Sequence, residues 1–250
     1  MIEIFGPFTE ERRELLLAQS NDVELKEAAD IFLSKSLRAK YSYQFDWLGR
    51  PIIQYPQDMV AVQQLIWEIQ PDLIIETGVA HGGSLILSAS MLALNALGGG
   101  PADSFVIGID IDIRPHNRKA IESHFLFPRI KLIEGSSTDL EILNHIKSYV
   151  KPESKVLVFL DSNHTEEHVL RELNLYSPLV SIGSYIVVFD TVIDKAPAGT
   201  YDDRPWSEKD NPKTALQKFL SSTNSFISDM EFDNKFLVSV APEGYVKRLK

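Results

Sequence analysis

Apolar positions along this 250-residue chain recur in two rhythms. Between residues 9 and 40 they fall three or four apart: Leu15, Leu16 and Ala18, then Leu25, Ala28, Ala29, Ile31, Phe32 and Leu37. That spacing predicts helix. From Asp72 onward, short continuous apolar runs alternate with amphipathic stretches. The segments 73–75, 105–110 (FVIGID), 130–134 (IKLIE), 155–160 (KVLVFL) and 184–189 (SYIVVF) read as parallel strands, with 155–160, nearly all apolar, a central buried one. Helices are expected at 58–69 with Asp58 as N-cap, and at 84–97, 118–125, 139–150, 166–176 and 213–220. Segments 226–232 and 236–241 are expected to pair as a closing antiparallel hairpin, turning near Asp233 and Asn234. The fold class is therefore α/β: a doubly wound, mostly parallel Rossmann-like sheet with a C-terminal antiparallel hairpin, plus an N-terminal helical arm. Residues 1–57 form the arm and an aromatic, Pro-punctuated stretch (41–57) read as a shaped loop. Residues 58–250 form the main domain, with a polar, Pro-rich lid at 194–212.

Composition narrows the function classes. The formal net charge is -10 and there are no cysteines, which disfavours nucleic-acid partners and excludes disulfides and thiolate metal sites. The first residues, MIEIFGPFTEERRE, carry early acids and no apolar h-region, and no run of 18 apolar residues occurs. The expectation is a cytoplasmic protein without a membrane span. Its helical arm suggests a homo-oligomer, and its partner is a small molecule rather than nucleic acid.

Each predicted strand ends in polar residues, and all these ends face one sheet edge, where open α/β sheets bind ligands. Glu76 follows the first strand, and Gly78, Gly82 and Gly83 let backbone approach a ligand before a helix begins at Ser84. The spacing Glu76-x-Gly78-x-Ala80-x-Gly82 departs from the dinucleotide fingerprint. An acid two residues before the first glycine suits a cationic or hydroxyl-bearing ligand, and S-adenosylmethionine is one. Asp110, with Asp112, ends the second strand and is placed to accept from ribose hydroxyls or to cap a turn. The stretch Gly135-Ser136-Ser137-Thr138-Asp139 offers an adenine rim or, through Asp139, a helix N-cap. Asp161 and Asp190 end two adjacent strands, so their carboxylates can converge; a hard divalent ion such as Mg²⁺ relieves the repulsion. In the alternative, one binds ligand and the other caps a loop. His164 lies three residues after Asp161 and is a candidate general base for a substrate hydroxyl, with His168 one helical turn later. Trp206, Tyr201, Arg204, Tyr55 and Trp47 offer aromatic and polar walls for an acceptor.

The segments 47–84, GIDIDIR (108–114), 160–191 and the C-terminal stretch ending in PEGYVKR resemble the cephalosporin hydroxylase/rhamnosyl O-methyltransferase family, within the class I S-adenosylmethionine-dependent methyltransferases. The resemblance runs from about residue 40 to the end. It implies an O-methyltransferase acting with Mg²⁺ on a hydroxyl of a sugar or small secondary metabolite. It implies Glu76, Gly78, Gly82, Gly83 and Ser84 on the methionine portion of the cofactor, Asp110 on the ribose, Ser136 near the adenine, and Asp161 and Asp190 on the metal. Catalysis would fall to His164 and Asp161, the latter also near the cofactor. Two departures stand out. Ala80 takes a position where glycine is common, and Phe189 stands where a second acid is expected beside Asp190. Three other functions remain in play. A nicotinamide-dependent oxidoreductase fits the sheet, but Glu76 and the missing glycine argue against it. An iron oxygenase would need more than the H-x-E at 164–166. A non-catalytic cofactor-binding relative would keep the fold alone.

Overall fold

The computed structural model describes residues 6–197 and 199–250; residues 1–5 of the expected arm and Ala198 of the expected lid lie outside the described residues. Two helices open the chain, α1 (Gly6–Asn21) and α2 (Val23–Arg38), separated at Asp22, whose carboxylate caps α2 by accepting from the Leu25 backbone N–H. Gln19 on α1 donates to the Asn234 carbonyl at 2.6 Å, tying the arm to the far end of the chain. The 41–57 stretch is more regular than expected. Phe45–Trp47 (β1) and Arg50–Ile52 (β2) pair antiparallel around a two-residue turn, in which Leu48 (φ 44°) and Gly49 (φ 83°) are both left-handed. Two consecutive positive φ values fit a tight hairpin turn.

The remaining elements follow in order. They are α3 (Pro56–Ile69), β3 (Leu73–Thr77), α4 (Gly83–Leu97), β4 (Phe105–Asp110), α5 (Pro115–Glu122), β5 (Ile130–Glu134), α6 (Leu140–Lys147) and β6 (Val156–Leu160). Then come α7 (Glu166–Tyr176), β7 (Tyr185–Val188), α8 (Pro212–Ser222), β8 (Phe226–Ser228), α9 (Met230–Phe236) and β9 (Tyr245–Arg248). The seven-stranded sheet runs β5-β4-β3-β6-β7-β9-β8, parallel except where β9 joins β7 and β8. The order reverses beside β3, between β4 and β6, which is where a doubly wound sheet opens its ligand crevice. Alternate side chains supply two cores. Ile74, Val106 and Leu157 pack with α3 and α4 on one face; Leu73, Ile75, Ile107 and Val158 pack with α6, α7 and α8 on the other.

The expected fold class is borne out, with local corrections. The closing hairpin is made by β8 and β9, and residues 230–236 between them are helical rather than extended. Asp229 caps that helix by accepting from the Glu231 N–H, and the rest of the expected 236–241 strand, residues 237–241, packs as irregular chain. The strand expected to end at Ile75 continues through Glu76 to Thr77, because both lie between β4 and β6 with full pairing partners. Asp58 does not cap α3. Tyr55 holds that place, and Asp58 lies inside the helix, 1% exposed, accepting from Ser239 Oγ (2.6 Å), the Val240 N–H (2.9 Å) and Tyr245 OH (2.9 Å). It therefore pins the irregular 237–245 segment to α3. Burial raises its pKa to about 6 against the opposing effect of those three donors.

Candidate functional site

A cleft of about 540 Å³ opens at the carboxyl edge of β3, β4, β6 and β7. The glycine loop forms its floor. Gly78 (φ 89°) passes so close to β6 that a Cβ there would lie 1.9 Å from the Asp161 carbonyl oxygen. Gly83, at the start of α4, meets the β1–β2 hairpin: a Cβ would sit 2.2 Å from the Pro51 carbonyl oxygen. Both contacts exclude any side chain, so these two glycines are required by packing before any ligand is considered. Ala80, the first departure noted above, adopts φ 45°, a conformation that costs a residue with a Cβ roughly 1 kcal/mol or more.

Two residues that the sequence did not single out brace this loop. Arg50 on β2 donates through Nε to the His81 carbonyl at 2.9 Å and through Nη2 to Asn117 Oδ1 at 3.0 Å. Asn117 in turn donates to the Ala80 carbonyl at 2.8 Å. Asp110 closes the ring: its Oδ2 accepts from the backbone N–H of Val79 (2.9 Å) and Ala80 (3.3 Å), and Oδ1 from that of Asp112 (3.1 Å). The turn-capping alternative for Asp110 is thus realised, while the residue still lines the cleft.

Glu76 lies beneath the loop, 2% exposed. One carboxylate oxygen accepts from Ser84 Oγ; the other, Oε2, is buried without a partner. Desolvation pushes its pKa up to about 7, opposed by the hydroxyls of Ser84 and Ser88. Ser136 lines the cleft and its Oγ lies 3.0 Å from Thr138 Oγ1; Asp139 N-caps α6 as the second alternative expected.

The β6 and β7 ends converge. Asp161, His164 and Asp190 bring one ligand atom each within 4.8 Å of one another, with His164 Nε2 3.4 Å from Asp190 Oδ2. Burial raises the pKa of Asp161 well above the usual carboxylate range, and the charges of Asp190, Glu76, Glu172 and Asp58 add to the rise. Asp190 reaches the cluster because it takes a left-handed backbone (φ 56°) directly after β7. Phe189 points the other way, 3% exposed in the core and edge-on to Phe159 at 5.9 Å, so it lies outside the cluster. The sequence reading gave His164 only a base's role; the structure makes it the third member of the cluster. Spacing alone hid this, because Asp190 enters from a strand 26 residues further on.

Trp206 stands edge-on to His164, ring centroids 4.6 Å apart, and lines the cleft with Tyr43. Arg204 and Tyr201 pack on Trp206. Tyr55 and Trp47, expected as acceptor walls, are used elsewhere. Tyr55 is fully buried and bonded to Ser36 Oγ at 2.6 Å, while Trp47 donates to Ser90 Oγ on α4. His168 lines the same cleft and faces Ser137 Oγ (3.1 Å), Ser162 Oγ (3.2 Å) and buried Glu172 (3.4 Å).

With this geometry in hand, comparison with known proteins is direct. The family model described as Rhamnosyl O-methyltransferase/CmcI matches residues 39–249. A rhamnosyl O-methyltransferase from Mycobacterium tuberculosis (strain H37Rv) is 32% identical over 199 residues, covering 76% of this chain and 73% of the relative. One from Mycobacterium leprae is 29% identical over 213 residues, covering 81% and 82%. Among solved structures, a CmcI apo-structure aligns with TM-score 0.56 at 22% identity, over 83% of this chain and 77% of that one. A CmcI structure with Mg and SAM aligns with TM-score 0.55 at 21% identity, over 83% and 78%. At that identity the two structures bear on the fold.

Proposed function

The chain belongs to the Rhamnosyl O-methyltransferase/CmcI family, and we propose that, as an S-adenosylmethionine-dependent O-methyltransferase, it methylates a hydroxyl of a sugar or sugar-bearing natural product with the help of a divalent cation. The observation that carries this reading is the Asp161–His164–Asp190 cluster facing the same cleft as the glycine loop. Two carboxylates and an imidazole with ligand atoms within 4.8 Å, the Asp161 pKa raised by burial and then by the Asp190 charge, make a donor set suited to Mg²⁺ or Mn²⁺. No helix among the described residues is long and apolar enough to cross a membrane.

In this reading Glu76, Gly78, Gly82, Gly83 and Ser84 hold the methionine end of the cofactor, Asp110 the ribose and Ser136 the adenine edge. S-adenosylmethionine supplies an electrophilic methyl on a sulfonium, and a divalent cation supplies positive charge that acidifies the acceptor hydroxyl. The protein's part is alignment. Gly78 and Gly83 set the loop's height, Arg50 and Asn117 fix its shape, and Trp206 walls the cleft beside the cluster. Residues 194–212, carrying Trp206, act as a lid over the acceptor. His164 completes the cation site. A role in place of ligation is favoured by the 3.4 Å approach of its Nε2 to Asp190: with the Nε2 proton held toward that carboxylate, the other ring nitrogen, Nδ1, would take the acceptor's proton.

Calorimetry with S-adenosylhomocysteine, followed by methyl transfer to methyl rhamnoside with and without excess EDTA, tests the proposal. Binding and EDTA-sensitive transfer support it. A protein that binds no S-adenosylhomocysteine refutes it, and full transfer in EDTA removes the cation from the mechanism.

A further inference from the structure

Behind the main cleft lies a second, much smaller niche of about 10 Å³, lined by Gln54, Val62, Glu76, Ser84, Leu87, Ser88, Phe159, Asp161 and Phe189. Gln54, Ser84 and Asp161 also line the cleft, so the niche is its blind end. The volume suits one small polar group. Its chemistry is lopsided. Gln54 is 3% exposed and its Oε1 is buried without a donor; Glu76 is 2% exposed and its Oε2 is likewise unpartnered. Asp161 adds a third acceptor, and no lysine or arginine lines the niche. Four apolar side chains (Val62, Leu87, Phe159 and Phe189) close the back, so bulk water cannot satisfy these oxygens.

Buried acceptors without donors cost about 1–3 kcal/mol each, more when charged, and native proteins leave few of them. Two in one niche call for a compact group with several N–H donors and a positive charge. We infer that Gln54 is a cofactor-recognition residue: its carboxamide oxygen and the Glu76 carboxylate together receive the α-ammonium of the methionine moiety. The inference rests on the S-adenosylmethionine reading above and adds Gln54 to it. Gln54 owes its position to the β1–β2 hairpin, whose Pro51 and Ile52 pack on Gly83, and to the Pro56 start of α3; together they bring residue 54 to the niche beside Ser84 rather than into solvent. Phe189 gains a role as well. Where an acid would fill this space with charge, the ring gives the niche an apolar wall.

The test compares two ligands and two proteins by calorimetry at pH 8: S-adenosylhomocysteine and its deamino analogue, on wild type and on Gln54→Met. Methionine matches the length of glutamine and removes the amide. The expected result is a wild-type preference for the amine of tenfold or more, and a loss of about tenfold in S-adenosylhomocysteine affinity in Q54M with deamino affinity unchanged. A purely structural amide, donating to Glu76 instead, would lower the affinity of Q54M for both ligands alike and overturns the inference. So does a niche holding only a buried water, for which wild type binds the two ligands equally. The wild-type comparison stands even if Q54M fails to fold. Failure of wild type to bind either ligand is a different outcome: it removes the methyltransferase reading together with this one.

Discussion

Glu76→Gln separates the cost of the buried acid from its use. In the free protein Glu76 ionises near pH 7, against 4.5 for an unburied glutamate, because burial removes water that only Ser84 and Ser88 replace. The raised folded pKa means that the native state holds the proton more tightly than the unfolded chain. Stability from this group is therefore full at low pH and falls as pH rises from about 4.5 through 7. A difference of roughly 2.5 pH units corresponds to about 3 kcal/mol of destabilisation above pH 8, and under about 1 kcal/mol at pH 5. Glutamine keeps the shape and an acceptor without the charge. Relative to wild type, the variant should gain roughly 2–3 kcal/mol more stability at pH 8 than at pH 5, read by guanidinium unfolding of the ligand-free protein. The same variant should bind S-adenosylhomocysteine about 10-fold or more weakly at pH 8, since the anion facing the ammonium is gone. A stability difference that does not change with pH would refute the burial argument. Unchanged affinity would refute the assignment of Glu76 to the cofactor.

Other substitutions test neighbouring steps. Gly78→Ala, whose Cβ would fall 1.9 Å from the Asp161 carbonyl oxygen, should abolish S-adenosylhomocysteine binding in calorimetry or leave no soluble protein; a variant with normal affinity would contradict the close approach. His164→Ala should weaken Mn²⁺ binding, followed by paramagnetic resonance, at least about 10-fold if His164 is a ligand, whereas retained metal affinity with lost turnover would assign it to proton transfer. Asp58→Ala strands Ser239 Oγ, the Val240 N–H and Tyr245 OH, so a loss of about 3 kcal/mol and a Tm lower by roughly 6–12 °C are expected; a Tm within 2 °C of wild type would show that the 237–245 segment is held by other contacts. Ala80→Gly relieves a left-handed alanine (φ 45°) and should raise stability by up to about 1 kcal/mol in the same unfolding assay, a prediction that any loss of stability contradicts.

Local pattern was sufficient for the sheet. Continuous apolar runs at β3, β4, β6 and β7 can be satisfied only by burial on both faces, while β5, at the sheet edge, exposes Lys131 and Glu134; helices between the strands force the parallel order, so strands, crevice and strand-end acids were legible from residues alone. The same reasoning brought Glu76, Asp110, Asp161 and Asp190 to one rim, because acids that follow parallel strands share an edge. What local pattern could not supply was any partner distant in sequence. Asp58 reads as a helix cap until Ser239 and Tyr245, more than 180 residues away, arrive to bind it. Tyr55 and Trp47 read as ligand walls until Ser36 and Ser90 bond them elsewhere. The apolar run at 236–241 reads as a strand, yet the edge it would join is taken by β9. His164 becomes a third arm of the acid cluster only because Asp190 turns left-handed after β7. Gln54, an unremarked amide in a proline-flanked stretch, gains meaning only when the hairpin folds it against Glu76. Hydrophobic periodicity is a property of neighbours along the chain and survives in the sequence. Pairing of buried polar groups is a property of neighbours in space, and tertiary packing alone decides it.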